Sequence, residues 1–236
     1  MTTERRRRTA GVVLLFGLVY IVFEFVTAMA WVDPPYDWAR NFISDLGFSD
    51  CAVVNGEPIC SPLHPLMNAG FMVQGTVFTI GSLLVVRIML QRLWERLVVA
   101  VLLVSSGVGT FFVGVFHQSL ALYEAGLNGF HLLAATLAIG PGNAGILLLG
   151  LLAFRHVEWR DYGIAVALLG VAGLVSSVLL VTETDFGLGI GLIERFAVYP
   201  LNAWTIGSGV GLLVKGVRDK NVRAARMRET AALPGS

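Results

Sequence analysis

Ionisable and amide side chains interrupt the apolar runs of this sequence at one recurring level. Glu24, Gln74, His131 and the adjacent pair Glu194 and Arg195 fall inside such runs, His117 closes one, and His64 stands just ahead of another. A charge near the middle of a bilayer costs about 2.5 to 3.5 kcal/mol on insertion scales, so each of these residues demands a reason. The residue types define three chemistries. A guanidinium such as that of Arg195 matches a phosphate or carboxylate with two parallel hydrogen bonds, imidazole and carboxylate together move protons, and histidines with a carboxylate suit zinc. Arg195, Tyr199 and Asn202 follow i, i+4, i+7 spacing and share one helical face, beside a Pro200 expected to loosen the backbone ladder. Glu194 and Arg195 point about 100° apart, so each should find its own partner, Glu24 being the one expected for Arg195.

The metal reading rests on His64, His117 and His131, and their spacing is weak support for it. His117 and His131 are fourteen residues apart on consecutive spans and could meet across a short loop, yet no His-x-x-x-His pair and no Cys/His cluster is present. A hydrogen bond to a backbone carbonyl is the simpler role for such a histidine. The sequence also lacks a Gly-x-Ser-x-Gly nucleophile elbow and a phosphate-cradling Gly-x-x-x-x-Gly-Lys loop. Metal, cofactor and oligomeric state stay open at this level.

A second group of candidates lies in the proline-rich connection from Val32 to Leu66. Asn41-Phe42-Ile43-Ser44-Asp45-Leu46-Gly47 follows Pro34-Pro35-Tyr36-Asp37-Trp38, and a short helix there would put Phe42, Ile43 and Leu46 on one side, resting at the membrane interface. Ser44 and Asp45 would then face water or neighbouring helix ends as site residues, or one of them would simply cap a turn. The same connection holds both cysteines, Cys51 and Cys60, whose pairing requires that this loop face an oxidising compartment.

Six spans must position these groups. The chain is 56% apolar and only 14% charged, far from the roughly one-quarter charged residues of soluble domains. A helix crossing about 30 Å of hydrocarbon needs about 20 apolar residues, and six stretches qualify, approximately Ala10 to Trp31, Met67 to Leu90, Leu97 to Phe116, Leu127 to Phe154, Gly163 to Val181 and Ile190 to Val214. The fold class is therefore an all-α, polytopic membrane protein of six transmembrane helices and a single domain. Arg5 to Arg8, Arg87, Arg92, Arg96, Arg155, Arg160, Lys215 and the basic tail (215–236) fall on one side, against Arg40 and Arg195 on the other. Basic loops remain cytoplasmic, which places both termini inside and the 32–66 loop, expected to be ordered, outside a cell membrane. The tail reads as a lipid-facing segment ending in a polar stretch, Glu229 to Ser236, expected to lack order. A net charge of +1 supplies no electrostatic footprint for nucleic acid. Glycines in Gly107-Val108-Gly109 and Gly207-Ser208-Gly209-Val210-Gly211 should let helices approach closely. The fourth span is interrupted by Gly140-Pro141-Gly142-Asn143, where freed carbonyls either line a cavity or are resatisfied by neighbouring helices.

Taken in order, Ile43-Ser44-Asp45-Leu46-Gly47, Phe116-His117 with His131, and Gly191-Leu192-Ile193-Glu194-Arg195 with Trp204 resemble a prokaryotic six-helix membrane family known only as domain of unknown function 998. The Ile-Ser-Asp-x-Gly element and the fourth-span histidine are also similar to those of the eukaryotic Frag/DRAM/Sfk membrane proteins, some of which remodel GPI-anchor lipids or regulate phospholipid distribution. The resemblance implies functional weight for Ser44, Asp45, Gly47, His131, Glu194 and Arg195, and weakens a three-histidine metal site because His117 stands where members are expected to vary. Residues and resemblance together lead to a polar cavity open to the outer leaflet that binds or modifies a membrane lipid. In that reading Arg195 holds the headgroup, Asp45 and His131 perform acid/base or polar work, and Ser44, Glu24, Glu194, Tyr199 and Asn202 bind. Two other classes stay open: a non-catalytic scaffold or sensor whose buried charges lock the helices together, and a small-solute transporter, which the absence of inverted repeats disfavours.

Overall fold

The computed structural model describes the backbone of residues 3–54 and 56–232, with side chains from 4 to 217 apart from 55. Among these residues six helices are long and apolar enough to cross a membrane, and the chain is a multi-pass membrane protein. The first span is two helices, α1 (Thr3–Leu15) and α2 (Leu18–Ala30), and the others are α3 (His64–Met89), α4 (Leu93–Val115), α6 (Gly129–Ala153), α7 (Arg160–Val181) and α8 (Ile190–Ala232). A single-turn helix α5 (Leu120–Glu124) links α4 to α6. One feature departs from the all-helical expectation and another from the expected lack of order in the tail. The connection from α2 to α3 carries a two-stranded antiparallel hairpin, β1 (Cys51–Val54) with β2 (Glu57–Cys60), and the register that sets Cys51 opposite Cys60 brings them into a disulfide. The polar stretch expected to lack order is helical as far as Ala232, while residues 233–236 and the side chains of the basic tail beyond 217 lie outside the described residues.

The spans close into a ring. α3 packs on α4, α4 on α6, α6 on α7, α7 on α8, and α8 returns to α1, which also meets α3. Small residues permit the tightest of these approaches. A Cβ at Gly75 would run into the backbone of Gly107 and Phe111 on α4, and one at Gly150 into Gly163 and Ala167 on α7. Gly107 and Gly109 thus act as expected, but of the second glycine cluster only Gly209 serves an interface, against Gly11, while Gly207 and Gly211 face open space.

The first span breaks at Phe16-Gly17, where Phe16, Gly17 and Val19 donate to carbonyls three residues back. The proline segments do not break. α6 runs continuously through Pro141 and α8 through Pro200, and a side chain of a neighbouring helix donates to the carbonyl three residues before each proline: Ser106 Oγ to Ala138 O at 2.5 Å and Asn143 Nδ2 to Ala197 O at 2.8 Å. Of the two alternatives left by the sequence, bonding by a neighbouring helix holds for Ala138 O, while Ile139 and Gly140 line the loop-face cavity described below.

The loop between α2 and α3 is folded down onto the ring. Its 3-10 turn, Ser44–Gly47, buries Ile43, Leu46 and Phe48 against Tyr20, Met67 and Phe71. The apolar side of this segment therefore packs on protein, which corrects the expectation that it rests on the membrane interface. Its buried carbonyls are taken up by Ser61 Oγ to Leu46 O (2.7 Å) and Asn68 Nδ2 to Gly47 O (2.9 Å).

Candidate functional site

The sequence-selected residues separate into two groups that share the start of α8. The first is a cage around Arg195, a side chain only 3% exposed. Its Nη1 donates to Trp38 O (2.9 Å), Asn41 O (3.0 Å) and Gly191 O (2.9 Å), and its Nη2 donates to the Tyr36 hydroxyl. The guanidinium lies 4.9 Å from the ring centre of Trp38 and 5.5 Å from that of Tyr36, a cation–π arrangement that desolvation strengthens. Its Nε sits 3.6 Å from Glu24 Oε1, which also accepts from Tyr199 at 2.8 Å. The Glu24 pairing expected from the sequence is thus present. Glu194 points the other way, as its adjacency to Arg195 requires, and its Oε2 accepts from Ile43 N at 2.5 Å. Between them the two neighbours pin the 36–43 segment to α8. Gly191 completes the contact, since its missing side chain admits the Asn41 carbonyl.

This geometry corrects the expected role of Arg195. Its donors face protein carbonyls, a phenol and a carboxylate, and it lines neither of the spaces described below. The sequence reading overlooked Tyr36, Trp38 and Asn41 as its partners. The signal was available in Pro34-Pro35-Tyr36-Asp37-Trp38, because a buried guanidinium needs acceptors and aromatic faces and this segment is rich in both. Burial holds the Tyr36 phenol well above its ordinary pKa, so it stays protonated and donates to Phe42 O at 2.9 Å.

The second group surrounds a cavity of about 1310 Å³ on the loop face, between the 3-10 turn, the hairpin, α6, α7 and the start of α8. Ser44, Asp45, His131 and Glu194 all line it. Asp45 is 6% exposed rather than water-facing: its Oδ2 caps the turn by accepting from Phe42 N at 2.8 Å, and burial, outweighing that hydrogen bond, pushes its carboxyl up to about 6. His131 Nδ1 lies 2.9 Å from Phe116 O. A carbonyl only accepts, so Nδ1 carries a proton, and in the neutral form of the ring Nε2 keeps its lone pair as an acceptor. The wall carries Asp37, Asp45, Glu57, Glu183, Asp185 and Glu194 against Arg40 alone, and Arg40 is itself 3.7 Å from Asp37. Gln118, Tyr123 and Asn128 add neutral hydrogen-bonding groups near His131, and Leu132, Ile139, Leu180 and Val181 an apolar flank. Sequence periodicity carries no signal for that side wall, because the short α5 and the loop tips bring it together.

His64 and His117 line neither space, and among the described residues no group of three or more His, Cys, Asp or Glu side chains is placed to hold a metal ion. The three-histidine centre is therefore not formed. Asn202 faces inward as expected, but its Oδ1 accepts from Gln74 Nε2 at 2.9 Å in a smaller space of about 50 Å³ beneath the cavity.

Fold and site together define a multi-pass membrane protein in which a disulfide-closed loop is clamped over a ring of six spans. The chain belongs to the family described as Protein of unknown function (DUF998), whose model matches residues 14–211. No curated protein and no solved structure matches it, and the wider likeness to the Frag/DRAM/Sfk proteins expected from the motifs is not shown.

Proposed function

We propose that this protein binds a membrane amphiphile in the loop-face cavity, with an amine-bearing or hydrogen-bonding headgroup against the acidic wall and acyl chain along α6 and α7. The observation that carries this reading is the composition of one continuous space: acids and amides at the loop end and the apolar flank of Leu132, Ile139, Leu180 and Val181 beside it. An acidic wall attracts a cationic headgroup and repels an anionic one. Ser44, Asp45, His131 and Glu194 are the binding residues, and Glu24, Arg195 and Tyr199 position the loop that carries two of them. The cavity opens to the outer leaflet of the cell membrane, both termini being cytoplasmic. The concentration of Arg and Lys on the face opposite the loop supports that orientation, as does the Cys51–Cys60 disulfide, which needs an oxidising compartment.

Native mass spectrometry of the protein extracted with its lipids tests the reading. Amine-bearing lipids should be retained in excess over their share of the membrane, and Ser177→Phe, which projects a ring into the cavity from α7, should release them. Retention in bulk proportion, unchanged by Ser177→Phe, refutes it. A scaffold role has one specific observation in its favour, the engagement of both Arg195 Nη atoms by protein partners. It predicts that substitutions in the Arg195 cage lower thermal stability while lipid retention stays the same.

A further inference from the structure

Beneath the loop-face cavity, α2, α3, α4, α6 and α8 surround the smaller space of about 50 Å³, and Ser44, His131 and Glu194 belong to the walls of both. Three polar atoms at this inner chamber, Tyr20 Oη, Gln74 Oε1 and Asn202 Nδ2, have no hydrogen-bond partner among the described residues. Their side chains are 1%, 4% and 4% exposed. Gln74 and Asn202 each use one end of the amide in their mutual bond, and turning both amides over leaves the same inventory of one free acceptor and one free donor. All three residues stand near the middle of their spans, Glu4–Ala30, His64–Met89 and Ile190–Val217, where no bulk solvent compensates an unpaired polar group. The break in the first span lies at the same place, since a Cβ at Gly17 would sit 3.1 Å from Gln74 Oε1, and interrupted spans mark polar sites at the bilayer midplane.

Of the nearby charges, Glu24 and Arg195 face one another and line no part of the chamber, although Glu24 Oε2 and Arg195 Nε have no hydrogen-bond partner among the described residues, and Glu194 accepts from Ile43. The far end is closed by Phe78 stacked edge-on against Trp204 at 5.2 Å, followed by an apolar cluster. The chamber is therefore a blind recess, entered from the loop face past Ser44 and His131, whose open interior valences are one acceptor, one donor and a phenol. About 50 Å³ accommodates a few water molecules or one small functional group. We propose that this chamber is a binding site for a small neutral group that both donates and accepts hydrogen bonds, either water or the hydroxyl of an organic ligand. The inference uses interior residues on which the amphiphile reading does not depend.

Radiolytic hydroxyl-radical footprinting of the intact protein in phosphatidylcholine nanodiscs tests it, because a bound water is a local radical source. With rates normalised to exposed Phe186, Tyr20 should be modified severalfold faster than Trp204, which is equally buried but stacked in the apolar cluster. The double variant Gln74→Leu/Asn202→Leu should remove most of that excess and leave Trp204 unchanged. Added 1-propanol distinguishes the sources: selective protection of Tyr20 assigns an organic hydroxyl, and no protection assigns water, both within the proposed class. Protection by propionate overturns the neutral assignment. A Tyr20 rate no greater than that of Trp204 in the wild-type protein overturns the site itself and requires no variant to fold.

Discussion

Replacing Arg195 by methionine removes the cation from a cage built wholly of its partners. Three carbonyls, those of Trp38, Asn41 and Gly191, lose a donor, and the Glu24 carboxylate, 0% exposed, loses its counter-charge. Removing one partner of a buried ion pair typically costs about 3 to 5 kcal/mol, chiefly because the other charge is left uncompensated. That is a fall of roughly 6 to 20 °C in the unfolding midpoint of a chain this long, at about 2 to 4 °C per kcal/mol. Since the penalty resides in the stranded carboxylate, Arg195→Met/Glu24→Gln should recover part of the loss, giving a coupling of about 1 to 3 kcal/mol in a double-mutant cycle. Arg195→Lys should fall between wild type and methionine, because an ammonium cannot present a planar fork to the carbonyls and stack on Trp38 at once. Thermal unfolding in nanodiscs, followed by tryptophan fluorescence, measures the four proteins of the cycle, Glu24→Gln alone included, and Arg195→Lys. An Arg195→Met midpoint within 2 °C of wild type, or a double variant no more stable than the single one, would refute the cage as the element that holds the loop on α8.

Asp45 should make stability pH-dependent. Its folded-state pKa, about 6 against 3.8 for the unperturbed group, means that the folded chain binds the extra proton, so this contribution falls as pH rises from about 4 to 6 and is flat above; the difference, about 3 kcal/mol, should vanish in Asp45→Asn. Opening the Cys51–Cys60 bridge, which spans nine residues, should lower loop stability by about 3 kcal/mol on the chain-entropy model, read as earlier proteolysis of the hairpin in reducing agent. Gly75→Val drives a side chain into the α4 backbone at Gly107 and Phe111 and should cost about 1 to 3 kcal/mol or block folding, whereas the same change at Gly211, which faces open space, should be nearly neutral. For topology, a membrane-impermeant maleimide should label Ser119→Cys on intact cells and Glu158→Cys only after lysis; the reverse pattern inverts the proposed orientation.

The spans were legible because apolar length is a local property of the chain, and the i, i+4, i+7 spacing of Arg195, Tyr199 and Asn202 marked an inward face for the same reason. Pairing of Glu24 with Arg195 was also legible, since few other acids lie at that depth. The role of Arg195 was not. Its isolation in an apolar run suggested a charge held for a ligand, whereas the loop from Trp31 to Phe48 folds back to surround it, and no periodicity records where a loop of that length will settle. The surroundings of the prolines were hidden likewise: Ser106 and Asn143 reach Ala138 O and Ala197 O, three residues before Pro141 and Pro200, from other helices.

Hydropathy, charge and short motifs are read residue by residue, and they are enough to make this a six-span membrane protein of its family with charges partitioned between two faces. That Arg195 is enclosed, that Asp45 and His131 share a cavity wall, that the three histidines do not converge, and that Gln74, Asn202 and Tyr20 meet at mid-span follow from the folded ring alone. Each of these depends on which faces of separate helices turn toward one another once the ring closes, and that choice is made by packing across the whole bundle.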